Sequence, residues 1–344
     1  MNASRKTIEW LYRNQLRVDE KWSIARDNGF TWWADKNAQQ VEIVGIESDK
    51  ELGEAFLVRV TTDFFRGLRL NEKTLQGISL MLMAHASMSG HVYDEKSTDL
   101  RLSSVLKVHE GNAESMRLLL SLACVLQIAE ARIMAPELAR ILGAQPAESG
   151  HSKNGIRNEP DELAEVVAQV ILPLGRQPSR WNGQELARVA AEMLQRVPGI
   201  NARSSSTSLA VAVPSNGSVN TCEFHVNQSH PRYGHGLFAL QTFPITDYPK
   251  NAGIRLALTL NGGELAGCPV GYGFGSYCFR EGKPHFLTFL PNAAYQSELL
   301  ANLCMACADR AIGFQGRLAA SVGLDTASHG RVSRRLGPSD LFGL

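Results

Sequence analysis

Between Ser4 and Leu16 the apolar residues Ile8, Leu11, Tyr12 and Leu16 recur at helical spacing, with Arg and Glu on the other side, and predict an amphipathic helix. From Trp22 to Val60 the pattern becomes short alternating runs: Phe30 and Trp32, then Val41 and Ile43, then Phe56, Val58 and Val60. Asp27-Asn28-Gly29, Asp35-Lys36-Asn37 and Ser48-Asp49-Lys50 separate these runs with turn chemistry, so three or four antiparallel strands are expected. A second helix, capped by Asn71 and carrying Leu75, Ile78 and Leu82 on one face, should end near Gly90. A strand pair from His91 to His109 follows, turning at Asp94-Glu95-Lys96. The long apolar helix after Gly111 and Asn112 carries Met116, Leu119, Leu120, Ala123, Cys124 and Ile128; Pro136 is expected to start a separate helix to Gly143.

Residues 144–159 are polar and rich in Gly, Ser and Asn, and read as a linker. Pro160 then opens a connector helix with Leu163, Val166, Val167 and Val170, stopped by Pro173. Asn182 with Glu185 three residues on resembles a capping box. Behind it Leu186, Val189, Ala190, Met193, Leu194 and Val197 form the clearest helical stripe in the chain. After the polar stretch NARSSSTS come expected strands at Leu209 to Val213, Ser218 to Val226 and Gly236 to Phe243, then a helix opened by Pro249 with Ile254, Ala257, Leu258 and Leu265. Strands at Tyr272 to Phe279 and His285 to Leu290 turn at Glu281-Gly282-Lys283, and a last helix runs from about Ala293 to Leu318.

Both halves thus read helix, strands, helix, two strands, long helix, offset by about 180 residues. At that offset Leu119, Leu120, Cys124 and Ala131 fall on Leu299, Leu300, Cys304 and Ala311, which points to a tandem duplication. The expected fold class is α+β, in two similar modules, each an antiparallel sheet packed with helices. The expected boundaries are 1–143 for the first module, 144–180 for the linker and connector, 181–322 for the second module, and 323–344 for a flexible tail.

The order of elements resembles the type III secretion chaperone-like superfamily, including the YbjN-like proteins, in which a curved antiparallel sheet packs against helices. Gly29-Phe30-Thr31-Trp32-Trp33 and His230-Pro231-Arg232-Tyr233-Gly234 are also similar to segments of bacterial proteins of like length. The resemblance implies a binding or chaperone role without catalysis, and a protein partner.

Composition narrows the setting. At 344 residues with 44% apolar content the chain can build two cores. Its 35 Lys and Arg balance 34 Asp and Glu, so nucleic acid is not an expected partner. The charged N-terminus lacks a secretory leader pattern, no span of a bilayer is expected, and the expected location is cytoplasmic. The six cysteines read as free core thiols in a reducing compartment, including the Cys304-x-x-Cys307 pair within an apolar helix.

Candidate chemistry is sparse. His225, His230, Arg232, Tyr233 and His235 form the densest cluster of functional side chains, read first as a polar hairpin and alternatively as a metal or catalytic centre. Adjacent Trp32 and Trp33 must point to opposite faces of a strand, one into the core and the other either under a covering helix or free as an anchor. Gly271, Gly273 and Gly275 alternate in GYGFGSY; a strand rather than a helix is expected next, so this is no phosphate loop. Its glycines fit a close helix contact, with Tyr272, Phe274 and Tyr277 as an alternative aromatic binding surface. The binding residues expected from sequence are therefore His230, Arg232, Tyr233, His235, Trp32, Trp33, Tyr272 and Tyr277, with no catalytic residue, metal or cofactor singled out. The expected function is noncatalytic protein binding through the sheet surfaces; the alternative is a hydrolase centred on the His225 to His235 loop.

Overall fold

A computed structural model of the chain describes residues 3–321 apart from 50–52, 216, 246–247, 268 and 271. The expected tail at 323–344, Gly271 and Cys268 lie outside the described residues.

The first module runs α1 (Ala3–Trp10), β1 (Ser23–Arg26), β2 (Gly29–Trp32), β3 (Gln39–Asp49), β4 (Gly53–Arg66), α2 (Glu72–Ala84), β5 (Gly90–Asp94), β6 (Asp99–Val108) and α3 (Ala113–Leu142). Between the modules lie β7 (Gln145–Pro146), two short turns of 3-10 and π type at Glu162–Glu165 and Val167–Ile171, and α4 (Leu172–Gly175). The second module runs α5 (Gly183–Arg196), β8 (Asn201–Ser204), β9 (Ser208–Ser215), β10 (Ser218–His225), β11 (Ser229–His230), β12 (Gly234–Thr242), α6 (Lys250–Asn261), β13 (Ser276–Arg280), β14 (Lys283–Pro291) and α7 (Leu299–Ser321).

Each module holds a seven-stranded antiparallel sheet, ordered β1-β2-β3-β4-β6-β5 in the first and β8-β9-β10-β12-β14-β13 in the second. The orders match strand for strand, with β7 and β11 as appendages on β4 and β12. The fold is α+β with two similar sheet modules. Pairing also fixes residue equivalence: Thr62 lies opposite Gln39 and Leu102, just as Gln241 lies opposite Cys222 and Phe286.

The local signals explain most elements. Asn71 accepts from the Thr74 amide while the Thr74 hydroxyl accepts from the Asn71 amide, a reciprocal cap that starts α2. Asn182 Oδ1 accepts from the Gln184 and Glu185 amides and starts α5. Pro136 does not break α3, contrary to expectation. The residues around it, Met134, Ala135, Ala139 and Leu142, are buried against the module, and that packing outweighs one lost backbone hydrogen bond. The connector is short turns rather than one helix, and β8 occupies part of the polar stretch expected as loop. β8 is an edge strand with a mostly exposed side-chain pattern, so it carries little apolar alternation.

Residues 144–159 are bound to the first module along their length. β7 extends the sheet beside β4, the Ala147 amide donates to the Phe64 carbonyl, and the Ser149 amide donates to the Lys36 carbonyl. Helix α3 is 30 residues long and apolar enough to cross a membrane, with 83% of its most apolar window buried inside the protein, where it forms the central helix of the first module.

The modules meet as an approximate two-fold pair. β5 begins at Gly90, opposite Ser103, so the edge of β6 past that point is open to the other half of the chain. There Val105 and Gly273 exchange backbone hydrogen bonds of 3.2 and 2.8 Å. At the matching place in the second sheet the Phe289 amide donates to the Ser87 carbonyl at 3.4 Å. Likewise α2 packs on β13 while α6 packs on β5. The apolar core is continuous across this seam: Phe64, Ile78 and Met134 share one cluster with Phe243, Ile254 and Phe314.

Gly273 shows why glycine stands at the crossing. A Cβ there would fall 2.7 Å from the Val105 carbonyl oxygen, so the close approach is of a strand, not of the helix expected from the sequence.

Candidate functional site

The HPRYGH loop is a small hairpin in which Ser229 pairs with His235 and His230 with Gly234. Gly234 has φ +69 and its Cα faces the Gly175 backbone so closely that a Cβ would lie 2.2 Å from the Gly175 oxygen. His230 Nδ1 accepts from the amides of Arg232 and Tyr233 at 3.1 and 3.2 Å, which leaves the neutral ring's proton on Nε2. The imidazole stacks on Tyr233, with centroids 4.8 Å apart and planes 14° apart, and tilts against Phe289. Burial, reinforced by the nearby charges of His85 and Arg232, pushes its pKa down to about 4.

Tyr233 reaches across the seam. Its hydroxyl donates to Glu130 Oε1 at 3.0 Å, on the central helix of the first module. Burial raises the Glu130 carboxyl to about 7 against the opposing hydrogen bonds of Ser87 and Tyr233 and the Arg232 charge. The loop joining α2 to β5 completes the cluster with His85 and Ser87. His91, at the start of β5, is pushed to about 3 by burial and by His85, and lies edge-on to Phe64. Arg232, His235 and His85 are half-buried at the rim.

This places four of the sequence-derived binding residues at one seam and adds Glu130, Ser87, His85 and His91 from the other module. Glu130 is 5% exposed, Tyr233 3% and His230 8%, which leaves almost no surface for a substrate to touch. Among the described residues no group of three His, Cys, Asp or Glu side chains is disposed to hold a metal ion. The cluster is a buried, hydrogen-bonded polar contact between the modules.

The aromatic candidates lie elsewhere and none is an exposed anchor. Trp32 is fully buried and its indole N–H donates to Gln39 Oε1 at 2.9 Å. Trp33 is buried as well, but its cover is not a helix. Its indole donates to Ser149 Oγ at 3.2 Å, His151 stands edge-on at 5.0 Å, and Arg157 donates to its carbonyl at 2.8 Å. Tyr277 is fully buried and donates to Glu264 Oε2 at 2.8 Å. Tyr272 is half-buried and stacks near the buried Phe274, so GYGFGSY forms no flat aromatic surface. Strand alternation places side chains on faces, and the covering segments come from distant parts of the chain.

Two further buried networks were not foreseen. In the first module Gln39 Nε2 donates to Thr62 Oγ1 at 2.7 Å, Thr62 donates to Gln127 Oε1 at 2.9 Å, and Gln127 donates to Ser104 Oγ at 2.9 Å. In the second module Cys222, Gln241, Cys307 and Thr288 stand at the matching places, and the thiol of Cys222 lies 2.9 Å from that of Cys307. One helix position carries a buried ionisable side chain in both copies: Glu130 on α3 and, at the repeat offset, Arg310 on α7. Arg310 donates from Nη2 and Nε to Glu264 Oε1 at 2.7 and 3.0 Å, and its guanidinium sits 3.8 Å over the Phe286 ring.

Fold and site together define a tandem α+β protein whose two modules share a buried polar seam. Comparison of the chain with protein-family models, curated proteins and solved structures finds no match.

Proposed function

We propose that the chain is a noncatalytic, chaperone-like protein that binds a protein partner on the outward face of its second sheet. The observation that carries this reading is a contrast between equivalent faces. The outward face of the first sheet carries ion pairs: Glu42 with Arg59 at 2.7 Å, Lys107 with Glu47 at 2.7 Å and Arg101 with Asp63 at 3.4 Å. By strand register, the places of Glu42, Arg59, Thr61, Asp63 and Arg101 are taken in the second sheet by His225, Phe238, Leu240, Thr242 and His285. Ala210, Thr221 and Glu223 beside them are exposed. A sheet that keeps, among the described residues, only a His225–Glu223 contact of 3.3 Å, with Phe238 and Leu240 half-buried against the core between exposed Ala210 and Thr221, offers a less charged surface suited to an extended or helical segment. A cytoplasmic setting belongs to the same reading, supported by five buried free thiols among the described cysteines.

The burial of Glu130, Tyr233 and His230 favours this reading over hydrolysis at the His225 to His235 loop. The test is a photo-crosslinking residue placed at Thr221 in the source cell, with the same residue at Glu42 as control. A discrete protein adduct from Thr221 and none from Glu42 is expected. No adduct at either place, together with turnover in a hydrolase screen abolished by His230→Ala, would replace the binding reading with the enzymatic one.

A further inference from the structure

A second concave surface lies in the first module, sharing no residue with the outward face of the second sheet. It is a groove of about 690 Å³, within the size range of small-ligand clefts. The end of β4 supplies Arg66, the start of α2 supplies Asn71, Lys73 and Thr74, and the end of α3 supplies Arg140 and Ile141; Arg69 lies on the loop between β4 and α2. No carboxylate lines it.

The four cations are exposed, and none forms an ion pair with a carboxylate of a described residue. Asp63, the nearest acid on β4, feels the Arg66 charge but pairs with Arg101. The 13-residue helix α2 opens into the groove, and its reciprocal cap occupies the Thr74 amide, leaving the first-turn amides of Glu72 and Lys73 outside that cap. Glu72 itself is exposed and is not among the lining residues. Ile141, 51% exposed, adds an apolar wall.

We propose that this groove binds a small organic phosphate, with Arg66, Arg69, Lys73 and Arg140 taking the phosphoryl oxygens and Ile141 lying against the organic part. Three guanidinium forks suit phosphate geometry, and four uncompensated positive charges exceed what a monocarboxylate would neutralise. The chain's overall balance of 35 basic and 34 acidic residues provides no extended basic track, which favours a compact ligand over nucleic acid.

The test is isothermal titration of the full chain at low ionic strength with inorganic triphosphate and with a nucleoside triphosphate. One-to-one saturable binding is expected. It should weaken by about tenfold or more in Arg69→Ala/Arg140→Ala, since two charge-assisted contacts are lost. Arg203→Ala, an exposed cation of β8, should leave it unchanged, and Ile141→Ser should weaken only the nucleoside triphosphate. All four positions are exposed, so the variants keep the fold, which melting followed by circular dichroism checks. No saturable binding of either probe, or an equal loss in Arg203→Ala, overturns the proposal. So does tighter binding of single-stranded oligonucleotides with affinity rising with length, which would assign the patch to nucleic acid.

Discussion

Removing either partner of the Glu264–Arg310 pair should destabilise the protein far more than replacing both. Side-chain exposure is 2% for Arg310 and 0% for Glu264, so neither charge is solvated by water. Burial alone would raise the Glu264 carboxyl; the charge and hydrogen bonds of Arg310, with the Tyr277 hydroxyl, outweigh it and hold the group below its usual range. Arg310→Met would leave that carboxylate buried without its counter-charge. The expected cost is about 3–5 kcal/mol, or about two to three and a half powers of ten in the folding equilibrium. Glu264→Gln likewise leaves the buried guanidinium without its counter-charge, and because the amide oxygen still accepts from Arg310 it should fall at the lower end of that range, about 3 kcal/mol. The double variant Glu264→Leu/Arg310→Met removes both desolvated charges and should recover most of the loss, although the Tyr277 hydroxyl and Gln241 Oε1 lose their hydrogen bonds to the pair. Urea unfolding at neutral pH, followed by tryptophan fluorescence, to which the buried Trp32, Trp33 and Trp181 contribute, measures all three. Losses below about 1 kcal/mol in Arg310→Met, or a double variant as unstable as the sum of the singles, would refute the argument that an orphaned charge dominates.

The seam predicts a pH signature. Glu130 has a raised pKa of about 7, so its contribution is fully present below the unfolded value near 4.5 and is lost as pH rises through 7. His91 and His230, lowered to about 3 and 4, contribute fully above 6.5 and lose that contribution as pH falls. In Glu130→Gln the stability relative to wild type should therefore rise by about 3 kcal/mol between pH 4.5 and 8, and a flat difference would refute the assignment. Gly273→Ala, whose Cβ meets the Val105 carbonyl, should cost about 1–3 kcal/mol in urea unfolding. Gly262→Ala, with φ −56 and open space around it, should be neutral or stabilising by up to about 1 kcal/mol, and equal losses in the two would contradict the tight crossing. Iodoacetamide should label Cys124, Cys222, Cys278, Cys304 and Cys307 only at the rate at which the protein opens, because all five thiols are buried. Fast modification of any of them, identified by mass spectrometry, would count against that burial.

What the chain states locally it states clearly. The stripe from Leu186 to Met193 made α5, the Asn71 and Asn182 caps started their helices, and the repeat offset recovered two sheets of one order. Each of these depends on residues a few positions apart, where side-chain spacing and turn chemistry act directly on the backbone. The polar edge strand β8 and the unbroken α3 were missed because an edge needs little apolar alternation and because packing overrode a proline. The HPRYGH loop stood out as the densest polar cluster, yet its partner Glu130 lies inside an apolar helix of the other module. Trp33, Tyr277 and Phe274 looked available for binding and are buried, each beneath segments supplied from distant parts of the chain or by its own module's core. The type and order of most elements, and the likeness of the two halves, were therefore determined by the sequence itself. The pairing of the modules, the cover over the aromatic residues, the partners of the buried charges and the contrast between the two outward faces were decided only by tertiary structure, because contacts between residues a hundred positions apart leave no periodic mark along the chain.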